Sequence, residues 1–155
     1  MAKRPVKIFL DSNVIISGIF SDKGSPRIIL DILCLDFPFI VGATGTYNII
    51  EIERNLKRKM PKAFPLYQKY FPNLNLEVIS LPSKKEIKAY LGYTSDKDVP
   101  VLVSAVKGKA DFLITGDKKD FSKLKKHTDL ELKILNPSEF LDIFRRLYEN
   151  FQREK

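Results

Sequence analysis

Val6-Lys7-Ile8-Phe9-Leu10-Asp11-Ser12-Asn13-Val14 passes from an apolar run into three short polar residues and back to an apolar one. The first five positions, rich in β-branched and aromatic side chains and ending abruptly, read as a buried strand. Ligands of open parallel sheets gather outside the carboxyl ends of the strands, and Asp11 stands at such an end. Phe112-Leu113-Ile114-Thr115-Gly116-Asp117 repeats the arrangement late in the chain: an apolar strand, small residues, an aspartate. Two such edges can converge on one crevice.

Around these edges, short apolar runs alternate with amphipathic stretches. Ser25-Pro26 starts a helix over Arg27 to Leu33, and Phe39-Ile40-Val41 is a short strand. Ile49, Ile50, Ile52 and Leu56 form the stripe of a helix ending near Met60-Pro61. A further helix is expected over 62–72, despite Pro65. Leu76 to Leu81 alternates as a strand, and Ser83, spaced three residues from Glu86, caps a helix over Lys84 to Leu91. Asp98 to Val106 predicts a helix that stops near Gly108, Leu132 to Leu135 another strand, and Pro137 the start of a last helix through Phe140, Leu141, Phe144 and Leu147. This alternation predicts an α/β fold with a mainly parallel sheet and helices on both faces. The chain has 155 residues, 44% of them hydrophobic, with no repeat or linker, so one domain over 1–155 is expected.

Cys34 is the only cysteine, which excludes an intramolecular disulfide and a thiolate metal cage. Beside Phe37 and Phe39 it reads as buried filler. His127 is the only histidine and lies in the polar stretch Lys125 to Asp129, as a surface residue would. The formal charge of +8 suits a polyanionic partner, although the lysine and glutamate content of heat-adapted proteins produces the same imbalance. No apolar stretch approaches the roughly 20 residues that cross a bilayer, and the start lacks a signal peptide's apolar core. A cytoplasmic protein with no membrane partner is expected.

The acidic residues carry the chemistry. Asp11 or Ser12 alone is equally well explained as a cap of the following helix. The recurrence at Asp117 favours a site, because Gly116 leaves room for close approach and Thr115 adds a hydroxyl. Asp120, three residues on, can join the site or face solvent. In Asp96-Lys97-Asp98-Val99-Pro100, Asp98 stands where the chain turns helical, as a cap or a ligand, and Asp96 lies one step further away. Glu51 sits between apolar neighbours in Ile49-Ile50-Glu51-Ile52, whereas Glu53, beside Arg54, reads as solvated. Carboxylates gathered in one place repel one another and call for a cation. All-oxygen donors select Mg²⁺ or Mn²⁺ over Zn²⁺, and either ion can activate a water against a phosphodiester.

With a strand ending in Leu10-Asp11-Ser12-Asn13-Val14, the helix segment Ile50-Glu51-Ile52, Asp98-Val99-Pro100-Val101-Leu102 before a helix, and Ala110 to Asp117 with its Thr115-Gly116-Asp117, the chain resembles the PIN-domain family from Ile8 to about Leu135. The resemblance implies a three-layer α/β/α sandwich and Mg²⁺- or Mn²⁺-dependent cleavage of single-stranded RNA. It implies Asp11, Glu51, Asp98 and Asp117 as metal ligands, with Ser12, Asn13 and Thr115 in support. The stretch Thr115 to Phe121 is most similar to the branch of toxins from toxin–antitoxin pairs, which implies a small antitoxin partner and a homodimer. Pro100, just inside the helix after Asp98, departs from the pattern and can shift that carboxylate.

Two basic tracks are candidates for gripping RNA: Lys57, Arg58, Lys59 and Lys62 with Tyr67 for stacking, and Lys118, Lys119, Lys123, Lys125 and Lys126. Solvated helix faces account for the same residues. A haloacid-dehalogenase phosphatase needs a second Asp where Asn13 stands, and a receiver domain needs an acidic neighbour that Asp11 lacks. A non-catalytic RNA-binding PIN module stays open as an alternative.

Overall fold

The computed structural model describes residues 4–126 and 129–154; His127 lies outside them. Five strands, β1 (Val6–Leu10), β2 (Ile40–Gly45), β3 (Glu77–Ile79), β4 (Phe112–Ile114) and β5 (Lys133–Leu135), form one sheet in the order β3-β2-β1-β4-β5. Every pairing is parallel, with Phe9 opposite Ala43 on one side and Leu113 on the other. β2 runs longer than the predicted strand and starts at Ile40, Phe39 lying in the turn before it.

Parallel neighbours require crossovers, and helices supply them. The helices are α1 (Ser12–Phe20), α2 (Ser25–Cys34), α3 (Thr46–Lys59), α4 (Phe64–Tyr70), α5 (Lys84–Ala89), α6 (Val99–Lys107) and α7 (Pro137–Arg153). The helix expected over 62–72 is broken: α4 is flanked by short 3₁₀ turns at Pro61–Ala63 and Phe71–Leu74, each with a proline, Pro61 or Pro72, in its first two positions. Ser83 and Glu86 form the expected capping box, and Asn136 forms another with Glu139 at the head of α7.

Alternation along β1 divides the core. Ile8 and Leu10 face one layer with Ile15, Ile29, Leu30 and Phe140 from α1, α2 and α7. Phe9 points the other way, with Leu113, toward Leu102 and Ala105 of α6 and Phe121. Helices therefore cover both faces of the sheet in three layers. At about 1.5–3 kcal/mol for each fully buried aliphatic or aromatic side chain, these two clusters hold the sheet rigid. Close packing of α1 on α2 depends on Gly18, where an added Cβ would lie 2.4 Å from Leu30 Cδ1.

β1 lies at the middle of the sheet, and the chain passes to β2 on one side and later to β4 on the other. The ends of β1 and β4 thus flank the topological switch point, where open α/β sheets leave a crevice.

Candidate active site

Asp11 follows β1 directly and is only 7% exposed. It caps α1, Oδ1 accepting from the Ser12 N–H at 2.8 Å and from Asn48 Nδ2 at 3.3 Å. Its other oxygen, Oδ2, accepts from Thr115 Oγ1 at 2.9 Å. Thr115 follows β4, so this bond ties the ends of the two central strands together. The same hydroxyl oxygen accepts the Asp117 N–H at 3.1 Å, which fixes the turn that carries Asp117. Asn13 clamps that turn from α1: Oδ1 accepts the Gly116 N–H and Nδ2 donates to Asp117 Oδ2, both at 2.9 Å.

Burial pushes the Asp11 carboxyl up to about 6 from an ordinary 3.8, and the charges of Glu51 and Asp98 add to the effect, while the bonds from Thr115 and Ser12 oppose it. The site thus carries uncompensated negative charge. Among the described residues no Lys or Arg forms an ion pair with Asp11, Glu51, Asp98 or Asp117.

These four acids line one cleft of about 280 Å³, together with Ser12, Asn13 and Asp120. Glu51 reaches it from α3, with Tyr47 and Asn55 one helical turn on either side. Glu53 points elsewhere, accepting from Tyr67 Oη at 3.1 Å. Asp98 stands at the N-cap of α6 without bonding the helix through its side chain; Ser95 Oγ donates to its Oδ2 instead. Pro100 is accommodated in the first turn of α6, as its missing N–H allows. Asp120 lies at the rim, 3.8 Å from Lys97 Nζ.

Several expectations change. Asp96 is exposed and does not line the cleft, because the 3₁₀ turn Asp96–Asp98 brings its later residues, Lys97 and Asp98, to the cleft and leaves its first outside. Tyr67 is 3% exposed and packs among Phe64 and Phe71, so it is not available to stack on a base. Lys57 lies over the Phe64 ring at 4.9 Å, and Lys118 pairs with Glu139 at 2.9 Å. Cys34 is exposed instead of buried: α2 turns Ile29, Leu30, Ile32 and Leu33 inward, and Cys34 falls outside that stripe. Asn48 and Ser95 escaped the sequence reading. The signal for Asn48 was an amide one turn before Glu51, followed immediately by Ile49 and Ile50.

The donors suit a hard divalent cation in kind, being carboxylates with a buried, unpaired negative charge at their centre. As they stand, no group of three or more His, Cys, Asp or Glu among the described residues is arranged to hold a metal. Neutral partners hold three of the four acids: Asn13 bonds Asp117, Ser95 bonds Asp98, and Thr115, Ser12 and Asn48 bond Asp11. A larger cavity of about 710 Å³ opens at the opposite end of the strands. Arg4 and Lys7 on its wall are already paired, with Asp111 at 2.6 Å and Glu77 at 2.8 Å.

A parallel α/β/α domain with an acidic cleft at its switch point is the class that fold and site define. The profile of the PIN domain matches residues 7–119, and the chain belongs to the PIN-domain family, whose members are generally nucleases. An uncharacterized protein of Methanocaldococcus jannaschii is 27% identical over 157 aligned positions, covering 94% of this chain and 96% of the relative. A chain in the crystal structure of VapBC2 from Rickettsia felis, bound to a DNA fragment from their promoter, shares the fold with a TM-score of 0.61. At 16% identity the superposition covers 84% of this chain and 98% of that one.

Proposed function

We propose that this chain, as one PIN-like nuclease domain, is a Mg²⁺- or Mn²⁺-dependent endoribonuclease that cleaves single-stranded RNA. We further propose that it is the toxin of a toxin–antitoxin pair, a cytoplasmic homodimer held in check by a small antitoxin. The observation that carries the reading is the meeting of Asp11, Glu51, Asp98 and Asp117 in one cleft, with no Lys or Arg among the described residues paired to any of them. Fold likeness to a VapBC2 chain supports the toxin role. Among the described residues no helix is long and apolar enough to cross a membrane.

In this reading the four carboxylates hold the cation. When bound, it would lower the pKa of a water and neutralise charge on the phosphodiester. The Ser12 N–H and the Thr115 hydroxyl hold Asp11, and the Asn13 clamp holds Asp117, which restricts the directions these carboxylates can take. Lys97 at the rim can meet a phosphate, and Ile16 and Val101 give the cleft apolar walls.

The test is cleavage of single-stranded RNA and DNA with Mn²⁺, comparing the wild type with Asp11→Asn and Asp117→Asn. Metal-dependent RNA cleavage lost in both variants is the expected result. Equal cleavage in all three proteins would overturn the assignment, and RNA binding without cleavage at any metal concentration would favour a non-catalytic module.

A further inference from the structure

We propose that Asn48 is a positioning residue for the metal centre, its buried amide setting the direction in which the Asp11 carboxylate meets the cation; the inference rests on the function proposed above. Asn48 is 0% exposed, and its Nδ2 donates to Ser12 Oγ at 3.0 Å and to Asp11 Oδ1 at 3.3 Å. The Asn48 backbone carbonyl accepts from Ser12 Oγ at 3.5 Å, closing a small network between the start of α3 and the end of β1.

The opposite end of the same side chain has no partner: Asn48 Oδ1 is buried without a hydrogen bond. A buried acceptor left unpaired is unfavourable, and an apolar side chain of the same shape would avoid the penalty. Packing therefore does not account for an amide here. What the amide supplies is a donor without charge. A lysine would neutralise Asp11 and compete with a cation for it, and a carboxylate would repel it.

The surroundings are shaped to keep this amide in place. An added Cβ at Gly45 would come within 2.9 Å of Asn48 Oδ1 and 3.0 Å of Ser104 Oγ, so the glycine makes the space the amide occupies. Asn48 and Glu51 lie one turn apart on α3, on the same side of the helix. Holding Asp11 through Asn48 therefore also fixes the distance between Asp11 and Glu51, two of the carboxylates that would share the cation. Partners that orient a ligand in this way contribute to affinity without touching the metal.

The experiment compares the wild type with Asn48→Leu, which keeps the branched shape and removes the donor. Mn²⁺ affinity is read by calorimetric titration, and melting temperature with and without Mn²⁺. Asn48→Leu is expected to weaken Mn²⁺ binding by about 10- to 100-fold. Without metal its melting temperature should fall modestly, since Asp11 and Ser12 lose a donor while the unpaired acceptor is removed. Binding of Mn²⁺ within about twofold of wild type would overturn the positioning role while leaving the metal centre standing. No Mn²⁺ binding by the wild type would instead remove the centre, and this inference with it. If the leucine is not accommodated and the variant fails to fold, Asn48→Ala is judged by the same affinities.

Discussion

The Thr115 hydroxyl donates to Asp11 Oδ2 at 2.9 Å, joining the carboxyl ends of the two central strands at residues 104 positions apart. Burial raises the Asp11 carboxyl and this bond lowers it, so Thr115 keeps the ionised form accessible near neutrality. In Thr115→Val the carboxyl is expected to rise further. The pH at which metal-free Asp11 ionises, followed by NMR titration in a chelator, should then move higher, and stability at neutral pH should fall by about 1.5–3 kcal/mol, as for a hydrogen bond to a charged group. An unmoved titration would show that the Thr115 hydroxyl does not stabilise the ionised Asp11.

Asp11 also makes metal-free stability depend on pH. Its folded value of about 6 exceeds the ordinary 3.8, so the folded protein binds the proton more tightly than the unfolded chain. That contribution is fully present below about pH 4 and is lost as the pH rises through about 6. Asp11→Asn removes the penalty, with a stabilisation of about 3 kcal/mol at most at pH 8 that vanishes near pH 4. Chemical denaturation in a chelator at both pH values measures it. Added Mn²⁺ should stabilise the wild type and not the variant.

Asn13 spans two neighbours of the candidate centre, holding the Gly116 N–H and the Asp117 carboxylate. Asn13→Ala leaves Asp117 tethered through its backbone, its N–H on Thr115 Oγ1 and its carbonyl accepting from the Asp120 N–H. Hydrogen exchange at Gly116 and Asp117 should accelerate, and cleavage should fall while overall melting changes little. Unaltered exchange at both amides would mean that the Thr115 hydroxyl suffices to hold the turn.

Tyr67 is buried against α3 with its hydroxyl on Glu53, away from the cleft. Tyr67→Phe should therefore leave RNA affinity unchanged and cost about 1 kcal/mol of stability. A loss of affinity on filter binding would mean that the aromatic ring is reachable after all.

Cys34 is an exposed thiol at the end of α2, held above its ordinary pKa by partial burial and by Asp31. Native protein should take up one equivalent of iodoacetamide without denaturant, at pH 8 more slowly than an unhindered thiol. Mass spectrometry after timed quenching distinguishes this from a thiol that reacts only once the chain unfolds.

The parts of the site legible in the sequence were those set by local pattern. Asp11 and Asp117 end apolar strands, and a parallel sheet sends both ends to one edge. Asp98 was legible as a helix start, though not its hold by Ser95. Glu51 and Glu53 were harder to separate, because residues two apart on a helix differ by about 200° of rotation and only packing reveals which side meets the sheet. The burial of Tyr67 depends on where the prolines break the helix around α4. Cys34 follows Leu33 by about 100° of helix rotation, enough to leave the apolar stripe. Asn48 was hidden because its partners lie 36 and 37 positions away, a contact that no local period encodes.

The strand order also governs what a growing chain can do. β1 is made first and ends at the centre of the sheet, yet its neighbour β4 comes only at Phe112–Ile114. During synthesis one edge of β1 must therefore wait, unpaired, until more than a hundred residues have been added. Asp117 emerges later still, so a half-made chain holds Asp11 and Glu51 without the acids that face them. The cleft is completed only once Asp117 has been added and β4 has paired with β1.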